Sequence, residues 1–371
     1  MAFFGVTIET IDTVRNHPGA DRLDICTLEG MNFQFVTGRD SYKVGDRCLY
    51  FPVDSLLPFP LMKKLGLTKE KKENGEIVLD ENGAPVIEGT LRGKNHNRLR
   101  VVRLRGELSQ GLVGPLDLIE DIDPGDHLTE VITEFLGVMK YDPPDIPCEN
   151  GNLCPLPSEL TVYDIEGADR YSEVAEQLMD TKVCIAEKIE GTNFSCTYRP
   201  ETDEFFVNQR GYTIVEKEGA KHMFWATVEK MGIFEHMRSV AKMFKTENFN
   251  SITFYGEFIG PGIQKNIYKL KEHTILFFDV KIDGDFASVH AKYDILNGLP
   301  IVPIIVKDMT LGEWLDGRPI QETSNGKSIF NPKIDILREG IVITPMLEGF
   351  HSSIGRLILK QRSSEYLINE K

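Results

Sequence analysis

Five prolines crowd the stretch "KYDPPDIPCENGNLCPLPSEL" (140–160), and no apolar period runs through it. Proline locks its own backbone, lacks a donor and pushes the preceding residue away from the helical region. Neither a long helix nor a central strand is expected to cross this stretch. The chain is therefore built in two pieces, one on each side. Its 371 residues also exceed what one ordinary core accommodates. The expected organisation is a first domain over 1–120, a linker over 121–160 and a second domain over 161–371.

The first piece reads as β structure. "GVTIETI", "LDICTL", "NFQFVTG" and "RCLYFPVD" are short, rich in Val, Ile, Phe and Tyr, and bounded by turn residues. "ENGEIVLDENGAPVI" carries two Asn-Gly pairs, the strongest short hairpin signal, and predicts a protruding hairpin. "NRLRVVRLRG" and "SQGLVGPL" add two further strands. Five or more short strands in so few residues predict a small β-barrel. The second piece mixes periods. "ADRYSEVAEQLMD" and "AKHMFWATVEKMGIFEHMRSVAKMF" have helical spacing, whereas "TKVCIAEK", "NFSCTYR", "DEFFVNQR", "SITFYGEFIG", "HTILFFDVKID", "GIVITP" and "RLILKQRS" read as strands. The fold class is α+β, a β-barrel followed by a mixed domain with antiparallel sheets.

Composition narrows the function. No apolar run is long enough to span a bilayer, and "MAFFGVTIET" lacks the basic start and apolar length of a signal peptide. A cytoplasmic protein with no membrane partner is expected, as a monomer. Its six cysteines form no CxxC pair; Cys148 and Cys154 are the closest, and free thiols are the expectation. The formal charge of −15 argues against nucleic-acid binding through net charge. It leaves room for a local basic groove, and "RGKNHNRLRVVRLRG" (Arg92–Arg105) is the densest basic stretch.

Polar clusters interrupt the apolar strands of the second piece. They are Lys188-Ile-Glu-Gly191, Glu257 in "FYGEFIG", Glu339 in "REGIVI", and Lys360 with Arg362 in "ILKQRS"; Asn193 and Arg210 lie near the first. Charges beside buried strands are costly unless they pair or serve a site. Cations, glutamates and an amide converging on one cleft would suit a phosphate–metal ligand. Each cluster taken singly also fits a structural ion pair, Phe278 fits core packing beside Phe277, and Arg362 fits a solvated strand end.

In order and spacing these clusters resemble motifs I, III, IV and V of the lysine nucleotidyltransferases, the polynucleotide ligases and mRNA capping enzymes. "FFDV" around Phe278 resembles the intervening motif, and "EKIEGTNF" is most similar to the nick-sealing RNA ligases. "HPGADRLDICTLEG", "VGDRCLYFPVDSLLP" and "VVRLRGELSQGL" resemble the N-terminal OB-type domain of one RNA ligase group. Only eleven residues follow Lys360, too few for the C-terminal OB barrel usual in DNA ligases and capping enzymes.

The resemblance implies an ATP-dependent RNA ligase that joins a 3′-OH to a 5′-phosphate, with nicked RNA-containing duplexes as substrate. Lys188 would attack the α-phosphate of ATP. A free lysine must shed a proton to do so, at a cost of about 4.6 kcal/mol in water at neutral pH. Nearby cations and desolvation would lower it. Glu339 and Glu190 would serve Mg²⁺ or Mn²⁺; Glu190 stands where the family usually has Asp. Glu257 would bind the ribose, Arg210, Asn193 and Glu187 the nucleotide, and Phe278 would stack on adenine. Lys360 and Arg362 would hold the α-phosphate, and Arg170 would reach the γ-phosphate. The rival readings are a GTP- or DNA-directed nucleotidyltransferase and a non-catalytic RNA-binding protein that senses a nucleotide.

Overall fold

The computed structural model describes residues 3–122, 128–142, 151–244 and 250–369. The chain divides into two compact units. One comprises Phe3–Pro144 with Leu367–Lys371, the other Met1–Ala2 with Asp145–Tyr366.

The first unit is a nearly closed antiparallel barrel. Its five strands run in the order Leu112–Gly114, Arg47–Phe51, Thr7–Asn16, Leu23–Leu28, Gln34–Gly38. Thr7–Asn16 serves both neighbours because its register shifts between Ile11 and Thr13. A bulge of this kind bends a strand and lets a sheet curl. The curl brings the Gln110 N–H to within 3.0 Å of the Gln34 carbonyl, next to the opposite edge. Ile11, Cys26, Phe35, Cys48 and Tyr50 pack together on one face of this sheet, and Leu49 and Phe51 pack on the other with Leu57 and Leu61. Both expected Asn-Gly turns form: Asn74 and Gly75 have φ of 53° and 89° between paired strands Lys72–Glu73 and Glu76–Ile77, and Asp80 accepts from the amides of Asn82 and Ala84.

Part of the span expected as linker is ordered structure. Leu128–Phe135 is a helix that sets Ile132, with Leu136 and Val138, into the cluster built on Leu49 and Phe51. Gly151–Pro155 is an edge strand of the second unit. The first prolines, Pro143, Pro144 and Pro147, and Cys148 lie outside the described residues. Cys26, Cys48, Cys154, Cys184 and Cys196 are free thiols. No helix among the described residues is long and apolar enough to cross a membrane.

The second unit pairs two sheets. The larger has seven strands in the order Gly151–Pro155, Tyr212–Glu216, Glu204–Gln209, Thr192–Arg199, Ile252–Ile259, Thr274–Ile282, Asp285–Phe286. The smaller orders Glu166–Gly167, Leu359–Arg362, Gly340–Pro345, Lys182–Lys188, Ile304–Thr310. Strand alternation gives each sheet two apolar faces. Phe194, Phe254 and Phe277 pack outward beneath helices Met223–Lys230 and Ile233–Met243. Val183, Ile185, Ile341 and Leu359 pack outward beneath Ser172–Gln177 and Leu311–Leu315. The inner faces meet through Ala186, Ile189, Ile259 and Leu276. The single helix suggested by the periodicity of 220–244 is two. Gly232, at φ 66°, breaks it in the left-handed region that glycine tolerates.

Candidate active site

A cavity of about 220 Å³ lies between the inner faces of the two sheets. Register explains what reaches it. In the smaller sheet Lys188 stands opposite Gly340, and Gly340 opposite Arg362; one row further in, Ala186 faces Val342 and Val342 faces Lys360. In the larger sheet Asn193 stands opposite Glu257. The clusters separated in sequence are thus neighbours across strands. Their glycines are forced by contact. A Cβ on Gly191 would meet the Phe258 carbonyl oxygen at 2.6 Å, and one on Gly340 would meet the Gln361 carbonyl oxygen at 2.2 Å.

Lys188, Asn193, Glu257, Phe278 and Lys360 line the cavity. The Lys188 Nζ lies 2.7 Å from Glu339 Oε1, and the Arg362 Nε lies 3.8 Å from the same oxygen. Lys360 Nζ and Arg210 approach opposite oxygens of Asp164, at 3.4 and 3.3 Å. Glu190 accepts from the Tyr366 hydroxyl, and its backbone N–H donates to the Tyr268 hydroxyl at 2.9 Å.

Phe278 lies at a bulge. Tyr255 pairs with Asp279 and Gly256 with Phe277, so Phe278 is the extra residue between them. Phe277 is buried in the outer core, and alternation turns Phe278 to the cavity, 5.2 Å from the Tyr163 ring. Two expected ligands point elsewhere. Glu187 borders the cavity, but its carboxylate accepts from the Ile329 N–H at 2.8 Å and is itself buried, as alternation next to Lys188 requires. Arg170 hydrogen-bonds the Tyr171 hydroxyl and does not line the cavity.

The carboxylates are crowded. Burial pushes Glu257 up to about 8; Lys188 opposes this, while Glu339 and Glu190 add to it. Burial also raises Glu190, against the Tyr366 hydrogen bond and with the Glu339 charge. A divalent cation is what such a set accommodates best. Among the described residues no three Asp, Glu, His or Cys side chains converge as a metal cage. A metal held here would take few protein ligands, from Glu339 and Glu190, and fill its shell with waters and substrate oxygens, the habit of Mg²⁺.

Residues not singled out in the sequence complete the walls. Asp164 and Tyr163 come from an irregular segment without a periodic signal. Lys292, on the helix Val289–Ile295, also lines the cavity although it is only 3% exposed. A lysine within a run of helical spacing carries no mark of burial, so nothing in the sequence separates it from its surface counterparts.

The RNA ligase family model matches residues 181–361, and an OB-fold domain family matches residues 5–79. No curated protein matches the sequence. Among solved structures, a Naegleria gruberi RNA ligase mutant with ATP and Mn is similar over 98% of this chain and 98% of its own, with a TM-score of 0.72 and 22% identity. A second mutant of that ligase, with AMP and Mn, covers 98% of this chain and 97% of its own at a TM-score of 0.72 and 23% identity. The same ligase with PPi covers 98% and 97% at 0.71 and 23%. At this identity the likeness is one of fold, and it extends over both units.

Proposed function

We propose that this chain, which carries an RNA ligase domain over residues 181–361 behind an OB-fold domain, is an ATP-dependent RNA ligase acting through a covalent lysyl-AMP. The observation that carries the reading is Lys188 beside Glu339 at the edge of a cavity lined by Glu257, Phe278 and Lys360. The Lys188 amine attacks the α-phosphorus of ATP, and pyrophosphate leaves. The 5′-phosphate of an RNA strand then takes the AMP from Lys188. A 3′-OH attacks that phosphorus, the phosphodiester forms and AMP leaves.

Each step moves negative charge between oxygens, so positioning and electrostatics dominate. Lys360, with Arg362 nearby, faces the transferring phosphate. Its present partner Asp164 gives way as phosphate oxygens arrive. Glu257 and Asn193, paired across strands, hold the sugar, and Phe278 covers the base. Glu339 and Glu190 would hold Mg²⁺ or Mn²⁺, which supplies charge neutralisation at the phosphates when bound. Glu339 is also the ion-pair partner of Lys188, so the carboxylate that would hold the metal is the one that keeps the amine in place. Arg210 reaches the nucleotide through the Asp164 edge. Glu187 serves by anchoring the segment at Ile329, and a γ-phosphate role for Arg170 requires its side chain to leave Tyr171.

The reading extends to a monomeric, cytoplasmic enzyme that seals nicks in RNA-containing duplexes, with nucleotide chemistry in the second domain and RNA engagement in the barrel. Exposed Arg92, Lys94, Arg103 and Arg105 on the barrel support the last point. Arg98 is not part of that surface, since it pairs with Asp54 at 2.6 Å and lies over the Tyr141 ring. Incubation with labelled ATP or GTP, then denaturing electrophoresis, tests the core of the proposal. Label retained from ATP alone supports it. Label from GTP alone, or none that survives denaturation, favours one of the rivals.

A further inference from the structure

Among the described residues, Lys292 is the one cavity-lining lysine that the chemistry above does not use. Its side chain is 4% exposed, and its Nζ lies 3.4 Å from Asp279 Oδ1. Asp279 already has strong partners on its other oxygen, the Arg356 guanidinium at 2.5 Å and the Tyr163 hydroxyl at 2.7 Å. Burial pushes Asp279 up, but Lys292 and Arg356 outweigh it and hold the carboxyl below its ordinary value. Arg356 also holds Glu348 through two nitrogens at 2.7 Å each, so Lys292 balances the second carboxylate charge of the cluster. What the ion pair leaves over on Lys292 is donors, not charge.

An ammonium has three N–H donors, and among the described residues Lys292 has a hydrogen-bond partner for one. A buried charged donor without acceptors is expensive. It is tolerated where a ligand supplies the acceptor, and the cavity is where Lys292 looks.

Its place identifies the ligand atom. The next residue, Tyr293, sets its hydroxyl 3.8 Å from Cys184 Sγ. Cys184 and Lys188 line the cavity from the same face of one strand, four residues apart, which is about 13 Å at strand rise. With the α-phosphate on Lys188 and the base over Phe278, the far end of the cavity receives the outer edge of the base. We infer that Lys292 is the residue that reads that edge, donating to the ring nitrogen N1 of adenine. Adenine N1 carries a lone pair, whereas guanine N1 carries a hydrogen that would confront the ammonium. Asp279 is the positioning residue of Lys292, fixing the ammonium from behind. The inference rests on the ligase reading.

The test uses the full chain and the rate of lysyl-AMP formation at limiting nucleotide, with ATP, 1-deaza-ATP and 7-deaza-ATP. A hydrogen bond from a charged donor predicts that the wild type loses about tenfold to a hundredfold with 1-deaza-ATP and little with 7-deaza-ATP. Lys292→Met should show the same loss with ATP, mainly in KM, and no further loss with 1-deaza-ATP. That non-additivity is what a purely structural lysine would not produce. If Lys292→Met fails to fold, the two wild-type analogue rates still decide. A wild type that uses 1-deaza-ATP as well as ATP overturns the assignment of Lys292 and leaves the ligase reading intact, as does additive loss in the variant. A wild type that takes no label from ATP overturns both.

Discussion

Glu339 holds Lys188, the proposed nucleophile, in an ion pair at 2.7 Å, and its removal should expose what that pairing is for. Glu339→Ala and Lys360→Ala should each slow lysyl-AMP formation by about a hundredfold or more while melting near the wild type, as expected for groups acting on transition-state charge. A variant within a few-fold of wild type would cancel the role given to that residue. Glu257 makes a pH prediction. Its carboxyl sits at about 8, raised by burial, against an ordinary value of 4.5. The folded state then binds an extra proton between those values. The associated stability is fully present below the ordinary value and is lost as pH rises through about 8. Glu257→Gln should flatten the fall in melting temperature between about pH 5 and about pH 9, and an unchanged slope would remove Glu257 as its source. Lys188, Glu257, Glu339 and Lys360 stand out in the sequence because each is a charge interrupting an apolar strand, and because the order of their clusters resembles the nucleotidyltransferase motifs. The sequence could have placed the Glu187 carboxylate too, since alternation sends the neighbour of an inward lysine outward. Asp164 and Lys292 were beyond reach, because their positions depend on how a loop and a helix close over the sheets.

At the scale of elements, alternation in Thr274–Ile282 turns Phe277 outward and Phe278 inward, and the bulge keeps Asp279 on the inner face beside Phe278. Phe277 is fully buried among Phe194 and Phe254. Phe277→Ala should cost about 3–5 kcal/mol of stability in chemical denaturation. Phe278→Ala, at the half-buried bulge position, should leave the midpoint close to wild type and raise the KM for ATP several-fold. The reverse pattern would show that the two faces are misassigned. Strand alternation from sequence cannot decide between the two residues, because an inserted residue inverts the alternation without leaving a local mark. The same limit hid the break at Gly232, where apolar spacing continues across two helices. The strands themselves were legible because their β-branched and aromatic runs end in turn residues.

At the scale of the molecule, the chain passes from one compact unit to the other within the proline-rich stretch, and Leu128–Phe135 and Gly151–Pro155 on either side of it are regular structure. Pairing does not stop at a proline: Pro155 closes the strand Gly151–Pro155 at the sheet edge, and the ladder to Tyr212–Glu216 is intact. A fragment beginning near residue 145 should therefore form lysyl-AMP, whereas one beginning near Leu160 loses that edge strand and should be less stable. The longer fragment should seal nicks poorly and with a shallower salt dependence than the full chain, since fewer phosphate contacts release fewer counterions. Equal sealing by fragment and full chain across a salt series would take the barrel out of RNA binding. The central claim is narrower and can be met directly by incubating the full chain with ATP and Mg²⁺ and mapping the modified peptide by mass spectrometry. The account predicts one AMP on Lys188, absent from Lys188→Ala and released when a 5′-phosphorylated RNA nick is added. An AMP on any other residue, or an unmodified Lys188 in a folded and ATP-saturated protein, would contradict it.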